Sequence, residues 1–180
     1  GENALLIAAR KNQTQVLRYM IGKGADINAQ NNEGTTALIA VCESPSDDIA
    51  GPDAHGEGEE RERESLDVLL DNGADHSLQD KDGQTALHKV ACHGHKGLVH
   101  KFHQHNIYSI IKDVNGNAAA NLAIQNQRWD CAQLLIENMS NINESNVLGK
   151  TLLHELCTFL GHHSQMTKMN QMIIHVDKLE

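Results

Sequence analysis

Residues 73–91 read Gly73-Ala74-Asp75-His76-Ser77-Leu78-Gln79-Asp80-Lys81-Asp82-Gly83-Gln84-Thr85-Ala86-Leu87-His88-Lys89-Val90-Ala91. Gly73-Ala74-Asp75 can turn the chain at the end of a helix. Asp80-Lys81-Asp82-Gly83 is a turn, because Gly83 takes a positive φ without a Cβ penalty. Thr85 then stands as the cap of a helix that begins Ala86-Leu87-His88. The order is helix end, hairpin-like excursion, helix start.

The stretch returns at a fixed distance. Gly83 is followed by Gly116 and Gly149, each 33 residues on, and Thr85 by Ala118 and Thr151 at the same spacing. Upstream, Gly24-Ala25-Asp26 and Gly34 precede Gly73 and Gly83 by 49 residues, so one repeat carries 16 extra residues. A step of 33 back from Thr36-Ala37-Leu38 reaches Asn3-Ala4-Leu5.

A period of 33 with a Thr-Pro-Leu-His-type pattern resembles the ankyrin family. The residues that carry the resemblance are Thr85-Ala86-Leu87-His88, Thr151-Leu152-Leu153-His154, Gly24-Ala25-Asp26-Ile27-Asn28 and Gly94-His95. The Pro of the motif is replaced by Ala or Leu throughout. The resemblance implies an all-α fold: an ankyrin-repeat solenoid of stacked helix-turn-helix units with β-hairpin-like loops. It divides the chain into repeats at about 1–33, 34–82 with an insertion at 43–64, 83–115, 116–148 and 149–180.

Composition agrees with a stack of thin layers. Of 180 residues, 39 % are hydrophobic but only 3 % aromatic, which suits layers of Ala, Leu, Val and Ile better than one large core. Cys42, Cys92, Cys131 and Cys157 form no Cys-x-x-Cys pair, so they read as reduced thiols of an intracellular protein, cytoplasmic, nuclear or both. No apolar run is long enough to span a membrane, and no signal peptide is visible. The sequence does not begin with Met and reads as a fragment of a longer chain. The first helix lacks the polar outer face of an end cap, which predicts a preceding repeat or a partner against it.

In the first repeat, Ala4, Leu5, Ala8 and Ala9 give one apolar face, and Val16, Leu17, Met20 and Ile21 a second. Gly24 ends the second helix in the left-handed conformation. In the second repeat the pattern stops after Cys42. Residues 43–64 hold both prolines, three glycines and nine acidic residues against two arginines, a net −7 of the chain's −9. The second helix resumes at Ser65-Leu66-Asp67-Val68-Leu69-Leu70. The insertion therefore sits between paired helices, where lengthening a turn costs only ~1.4 kcal/mol of closure entropy. Its composition predicts a loop without fixed structure, with a helical extension through Glu57 to Glu64.

The later repeats depart from the pattern. Asn106 replaces the helix-ending Gly, which a left-handed Asn tolerates. Lys101 and His103 stand where family repeats carry Leu, so the second helix of the third repeat is expected to be the weakest layer. Ala118-Ala119-Ala120-Asn121 has lost Thr and His, and Asn121 is placed to make part of the hydrogen bonding that His makes in the family. Met139 stands where Gly is expected. A divergent last helix is expected near Ser164 to His175, with Met166, Met169 and Ile173 inward.

Twelve His residues raise a metal hypothesis. The densest group is His93, His95, His100, His103 and His105, with His100 and His103 on one helix face. The family resemblance instead assigns His88, His95 and His154 to bracing turns, and no carboxylate or Cys completes a repeated ligand set. No nucleophile elbow, phosphate loop or His-Glu-x-x-His motif occurs, so neither catalysis, nor metal, nor cofactor is expected. A metal-dependent enzyme built on the His group is the most distant alternative. The acidic insertion reads either as a tolerated loop or as a docking segment, with Ser44-Pro45-Ser46-Asp47-Asp48 resembling a phosphorylation site.

The resemblance implies a non-catalytic scaffold or adaptor that binds a partner protein or peptide on its concave face. A second alternative is a regulator of a transcription factor, similar to the cytoplasmic NF-κB inhibitors. The negative charge disfavours direct nucleic-acid binding and favours a basic partner. The isolated domain is expected to be monomeric. The hairpin tips carried over are Asn32, Glu33 and Thr35; Lys81, Asp82 and Gln84; Val114, Asn115 and Asn117; and Val147, Leu148 and Lys150. The first-helix positions are Glu43, Cys92, His93, Gln125, Asn126, Thr158 and Phe159. Trp129, at the start of an outer helix, is either an exposed anchor for a partner or a plug between layers.

Overall fold

The computed structural model describes residues 3–43, 57–108, 110–137 and 145–158. Helices α1 (Ala4–Arg10), α3 (Ala37–Glu43), α5 (Ala86–His93), α7 (Ala119–Gln125) and α9 (Leu152–Thr158) form an inner row, each touching the next. Helices α2 (Thr14–Gly22), α4 (Glu57–Asp71), α6 (Lys96–Gln104) and α8 (Trp129–Ile136) form an outer row behind them. The pairs α1–α2, α3–α4, α5–α6 and α7–α8 repeat one unit.

Small residues set the inner spacing. Ala8, Ala9, Ala37, Ala40, Ala86, Ala91, Ala119, Ala120 and Ala123 are all buried, so inner helices approach closely without bulky side chains between them. Leu5, Leu17, Leu38, Leu66, Leu69, Leu87, Leu98 and Phe102 fill the space between rows. Each such burial contributes about 1.5–3 kcal/mol. The core is thus continuous along the stack and not gathered at one centre.

The helix ends follow the local chemistry. Gly24 and Gly73 close α2 and α4 at φ +85° and +84°, and Asn106 closes α6 at +56° in the place of a glycine. Between units, the chain makes a hairpin-like excursion without a regular strand among the described residues. Each excursion is closed by a backbone bond across its arms: Asn31 N–H to Thr35 C=O (3.1 Å), and Asp80, Asp113 and Asn146 N–H to Gln84, Asn117 and Lys150 C=O (2.9 Å each), with the N–H of the tip glycine donating back to the Asn31, Asp80, Asp113 or Asn146 carbonyl (2.9–3.0 Å).

The second helix of this unit begins earlier than the apolar stripe alone indicates. Helix α4 starts at Glu57, so its first two turns are the expected extension, continuous with the packing helix. The later part of this extension, with Ser65 just after it, meets the neighbouring helices. Glu62 is 3 % exposed beside His95 (Oε2 to Nδ1 4.0 Å), Arg18 approaches Glu64 at 3.5 Å, and Thr14 and Ser65 share a buried hydroxyl–hydroxyl bond of 3.0 Å. The remainder of the insertion, including Ser44 to Asp48, lies outside the described residues, as do Met139, Phe159 and the expected last helix.

Lys101, polar at a position where the family carries an apolar residue, reaches across to α4. Its Nζ lies 2.6 Å from Asp67 Oδ2, and His105 Nε2 lies 3.3 Å from Asp67 Oδ1. The layer keeps Phe102 fully buried beneath this pair. No helix among the described residues is long and apolar enough to cross a membrane.

Candidate functional site

Four acidic or amide side chains build the tips. The Oδ1 of Asn31 accepts from the N–H of Glu33 (2.9 Å) and Thr35 (2.8 Å). Asp80 does the same for Asp82 and Gln84, Asp113 for Asn115 and Asn117, and Asn146 for Leu148 and Lys150. Each turn is therefore held from inside by one side chain, the Asx-turn device. These residues are absent from the candidates that the sequence suggests. Their signal is nevertheless present: Asn31, Asp80, Asp113 and Asn146 keep the spacings of 49, 33 and 33 that the glycines keep.

Neighbouring tips are joined into a row. Lys81 N–H donates to Glu33 C=O (2.9 Å), Val114 N–H to Asp82 C=O (3.1 Å) and Val147 N–H to Asn115 C=O (3.0 Å). Gly83 makes this approach possible. A Cβ there would lie 2.7 Å from the Val114 nitrogen, at a φ of +71°. The amides of Gln30 and Gln79 bridge consecutive excursions by donating to the carbonyls of Gln79 and Lys112 (3.0 Å each).

His88 couples helix to tip. It sits 1 % exposed, and its Nδ1 accepts from Thr85 N–H (3.1 Å) and the Thr85 hydroxyl (2.8 Å). The amide can only donate, so Nδ1 carries no proton. Nε2–H therefore donates to Asn117 C=O (3.1 Å). Burial pushes the His88 pKa down, against the opposing pull of the Asn117 carbonyl. Asn121 makes only the first half of this arrangement, accepting from Ala118 N–H at 3.2 Å.

A side-chain cluster replaces the missing half. Asn146 Nδ2 donates to Asn117 Oδ1 (3.0 Å), and Gln125 Nε2 to Glu155 Oε1 (2.9 Å), with Asn146 Nδ2 also 3.5 Å from that oxygen. Asn117, Asn146 and Glu155 are 5 %, 9 % and 5 % exposed. The last tip is thus fastened by buried amides and a carboxylate where the preceding unit uses an imidazole.

Between the first two tips and helices α1, α3 and α5 lies a polar groove of about 480 Å³. Lys89 Nζ lies between Asp80 Oδ2 (2.8 Å) and Glu43 Oε1 (3.1 Å), and Arg10 meets Glu43 at 3.6 Å. Burial opposes the charge on Lys89, but its bonds to Asp80 and Glu43 outweigh this and hold its pKa above the usual lysine value. Lys81 is paired with Glu33, which raises its pKa in turn.

The sequence candidates separate by exposure. Asn32, Glu33, Lys81, Asp82, Val114, Asn115, Val147, Leu148 and Lys150 face solvent along the tip row. Gln84, Glu43 and Cys92 are half-buried, and His93, Gln125, Asn126 and Thr158 are exposed at the inner helix ends. Thr35 and Asn117, 5 % exposed each, offer no surface. Trp129 is 6 % exposed and packs between layers, so the plug reading describes it and the exposed-anchor reading does not. Cys92 is capped by Asn126 Nδ2 (3.6 Å to Sγ), and burial pushes its thiol pKa up.

The His group is spread out. The rings of His93 and His95 are 5.6 Å apart, His103 meets Tyr108 at 5.0 Å, and His105 turns to Asp67. Among the described residues, no three His, Cys, Asp or Glu side chains converge on a point that could hold a metal ion.

Helix pairs stacked in register with a row of hairpin tips define a repeat solenoid. Two family profiles agree: one described as ankyrin repeats (3 copies) matches residues 58–146, and one described as ankyrin repeats (many copies) matches residues 5–44. The chain belongs to the ankyrin-repeat family, whose members are in general protein-interaction modules.

Similar proteins include the putative ankyrin repeat protein FPV031 of fowlpox virus, 22 % identical over 93 % of this chain and 55 % of its own length. The mouse ankyrin repeat and SOCS box protein 16 is 29 % identical over 67 % of this chain and 25 % of its own. The putative ankyrin repeat protein L86 of Acanthamoeba polyphaga mimivirus is 25 % identical over 74 % and 25 %. The chain thus spans between a quarter and about half of the length of these relatives.

Proposed function

We propose that this chain is a scaffold or adaptor module that binds a segment of a partner protein along its tip row and concave face. One observation carries the reading. Val114, Val147 and Leu148, on adjoining tips, are 63 %, 68 % and 75 % exposed, although the backbone behind them is rigidly bonded. Branched apolar side chains held in the open on a fixed frame are suited to burial against another protein. The four free cysteines support a reducing, intracellular setting.

The test is affinity capture from cell extract with the native chain and with Val147→Asp/Leu148→Asp, both verified as folded by circular dichroism. Proteins retained by the native chain and lost by the variant support the reading. An identical set of captured proteins overturns it.

A further inference from the structure

The tip row carries more than apolar surface. In order along the bonded frame come the Glu33–Lys81 pair, Asp82, Val114, Val147 with Leu148, and Lys150 on the return arm of the last tip. Lys81, the cation that feels Asp82, is already paired with Glu33. Arg10 and Lys89, deeper in the groove, are engaged with Glu43 and Asp80. Asp82 and Lys150 are both exposed, and neither carboxylate nor ammonium is in an ion pair among the described residues. An apolar middle is therefore flanked by two uncommitted charges of opposite sign.

We infer that the tip row binds an extended peptide segment of fixed direction, with a Lys or Arg against Asp82, aliphatic side chains against Val114, Val147 and Leu148, and an Asp or Glu against Lys150. This rests on the interaction reading above and specifies its ligand. The apolar contacts supply most of the affinity, because exposed aliphatic area is removed from water. The flanking charges supply direction and discrimination, because a reversed segment brings like charges together. An acidic-only or basic-only ligand would leave one of the two charges opposed or unanswered.

The experiment is selection from a random library of short displayed peptides against the native chain. The winning peptide is then titrated against Val147→Asp/Leu148→Asp, Asp82→Lys, Lys150→Glu and, as a control on the outer row, Tyr19→Ser. The expected winners carry a basic residue, then aliphatics, then an acidic residue. The double tip variant weakens the winner by roughly a hundredfold and each charge reversal by roughly tenfold, and Tyr19→Ser leaves it unchanged. Selecting anew on the Asp82→Lys, Lys150→Glu double variant should reverse the charge order of the winners.

Winners lost on Val147→Asp/Leu148→Asp but indifferent to both charge reversals overturn this inference and leave the interaction reading standing. Winners insensitive to the double tip variant overturn both. No enriched peptide overturns the inference, since an extended segment should suffice.

Discussion

The imidazole of His88 joins the cap of its own helix to Asn117, 29 residues away, by a 3.1 Å bond to that residue's carbonyl. One repeat later, Asn121 holds only its own cap, at Ala118. An Asn side chain is too short to cross from the cap to the next tip.

Replacing His88 should therefore separate the two bonds. His88→Ala leaves the Thr85 N–H and the Asn117 C=O without these partners, at about 2–4 kcal/mol. His88→Asn keeps the cap, as Asn121 does, and should lose about half of that. Denaturant titration of both variants checks the order. The reading fails if the two are equally unstable.

The same residue sets a pH slope. Its folded pKa lies below the 6.5 of a free histidine because burial penalises the imidazolium. Below 6.5 the unfolded chain binds the proton first, so the stabilisation is complete above 6.5 and lost as pH falls through the window down to the folded value. Urea midpoints between pH 7.5 and 5 should fall more steeply for the native chain than for His88→Asn.

Two glycines with nearly the same φ distinguish strain from stacking. Gly149 is at +70° with nothing within 4 Å of the place a methyl group would occupy, so Gly149→Ala should cost about 1 kcal/mol of backbone strain alone. Gly83, at +71°, faces the Val114 nitrogen at 2.7 Å, so Gly83→Ala must also push adjoining tips away from each other and should cost about 3 kcal/mol. Equal midpoints for the two variants would contradict the tip frame.

Glu155→Ala removes the acceptor shared by Gln125 and Asn146, at about 1–3 kcal/mol. Because each unit contacts only its neighbours, the damage should stay local. Amide exchange should quicken across residues 145–158 and remain unchanged in α5. Uniform acceleration would argue against a local clamp.

Thiol labelling reads the layers directly. Cys157 is exposed, whereas Cys42 is fully buried and burial pushes its pKa well up. Burial also raises Cys131 to about 11. At neutral pH Cys157 should react about a hundredfold faster than either, and mass spectrometry after brief alkylation assigns the order.

Much of this frame is legible in the sequence. Period and glycine positions locate the turns, and Asn106 is readable as a left-handed helix end because few other side chains tolerate that conformation. The start of α4 at Glu57 is visible in its charged helix-forming residues. The turn-closing Asn31, Asp80, Asp113 and Asn146 share the glycine spacing, but polar side chains at turns are too common to single them out without the bonds they make. The clamp around Glu155 is not legible. Its bonds link residues 29 and 30 apart, off the repeat period, and depend on how neighbouring units happen to meet.

Thr35, Gln84, Asn117 and Lys150 occupy one register position, assigned by spacing alone. Sequence periodicity determined that each would follow a tip glycine, because φ freedom and helix capping are local properties. It could not rank their exposure. Thr35 and Asn117 are buried, Gln84 is half-buried and Lys150 is open. That difference was decided by the tertiary structure, because burial at a repeat position depends on which neighbouring side chains close over it, and those come from the next unit of the stack.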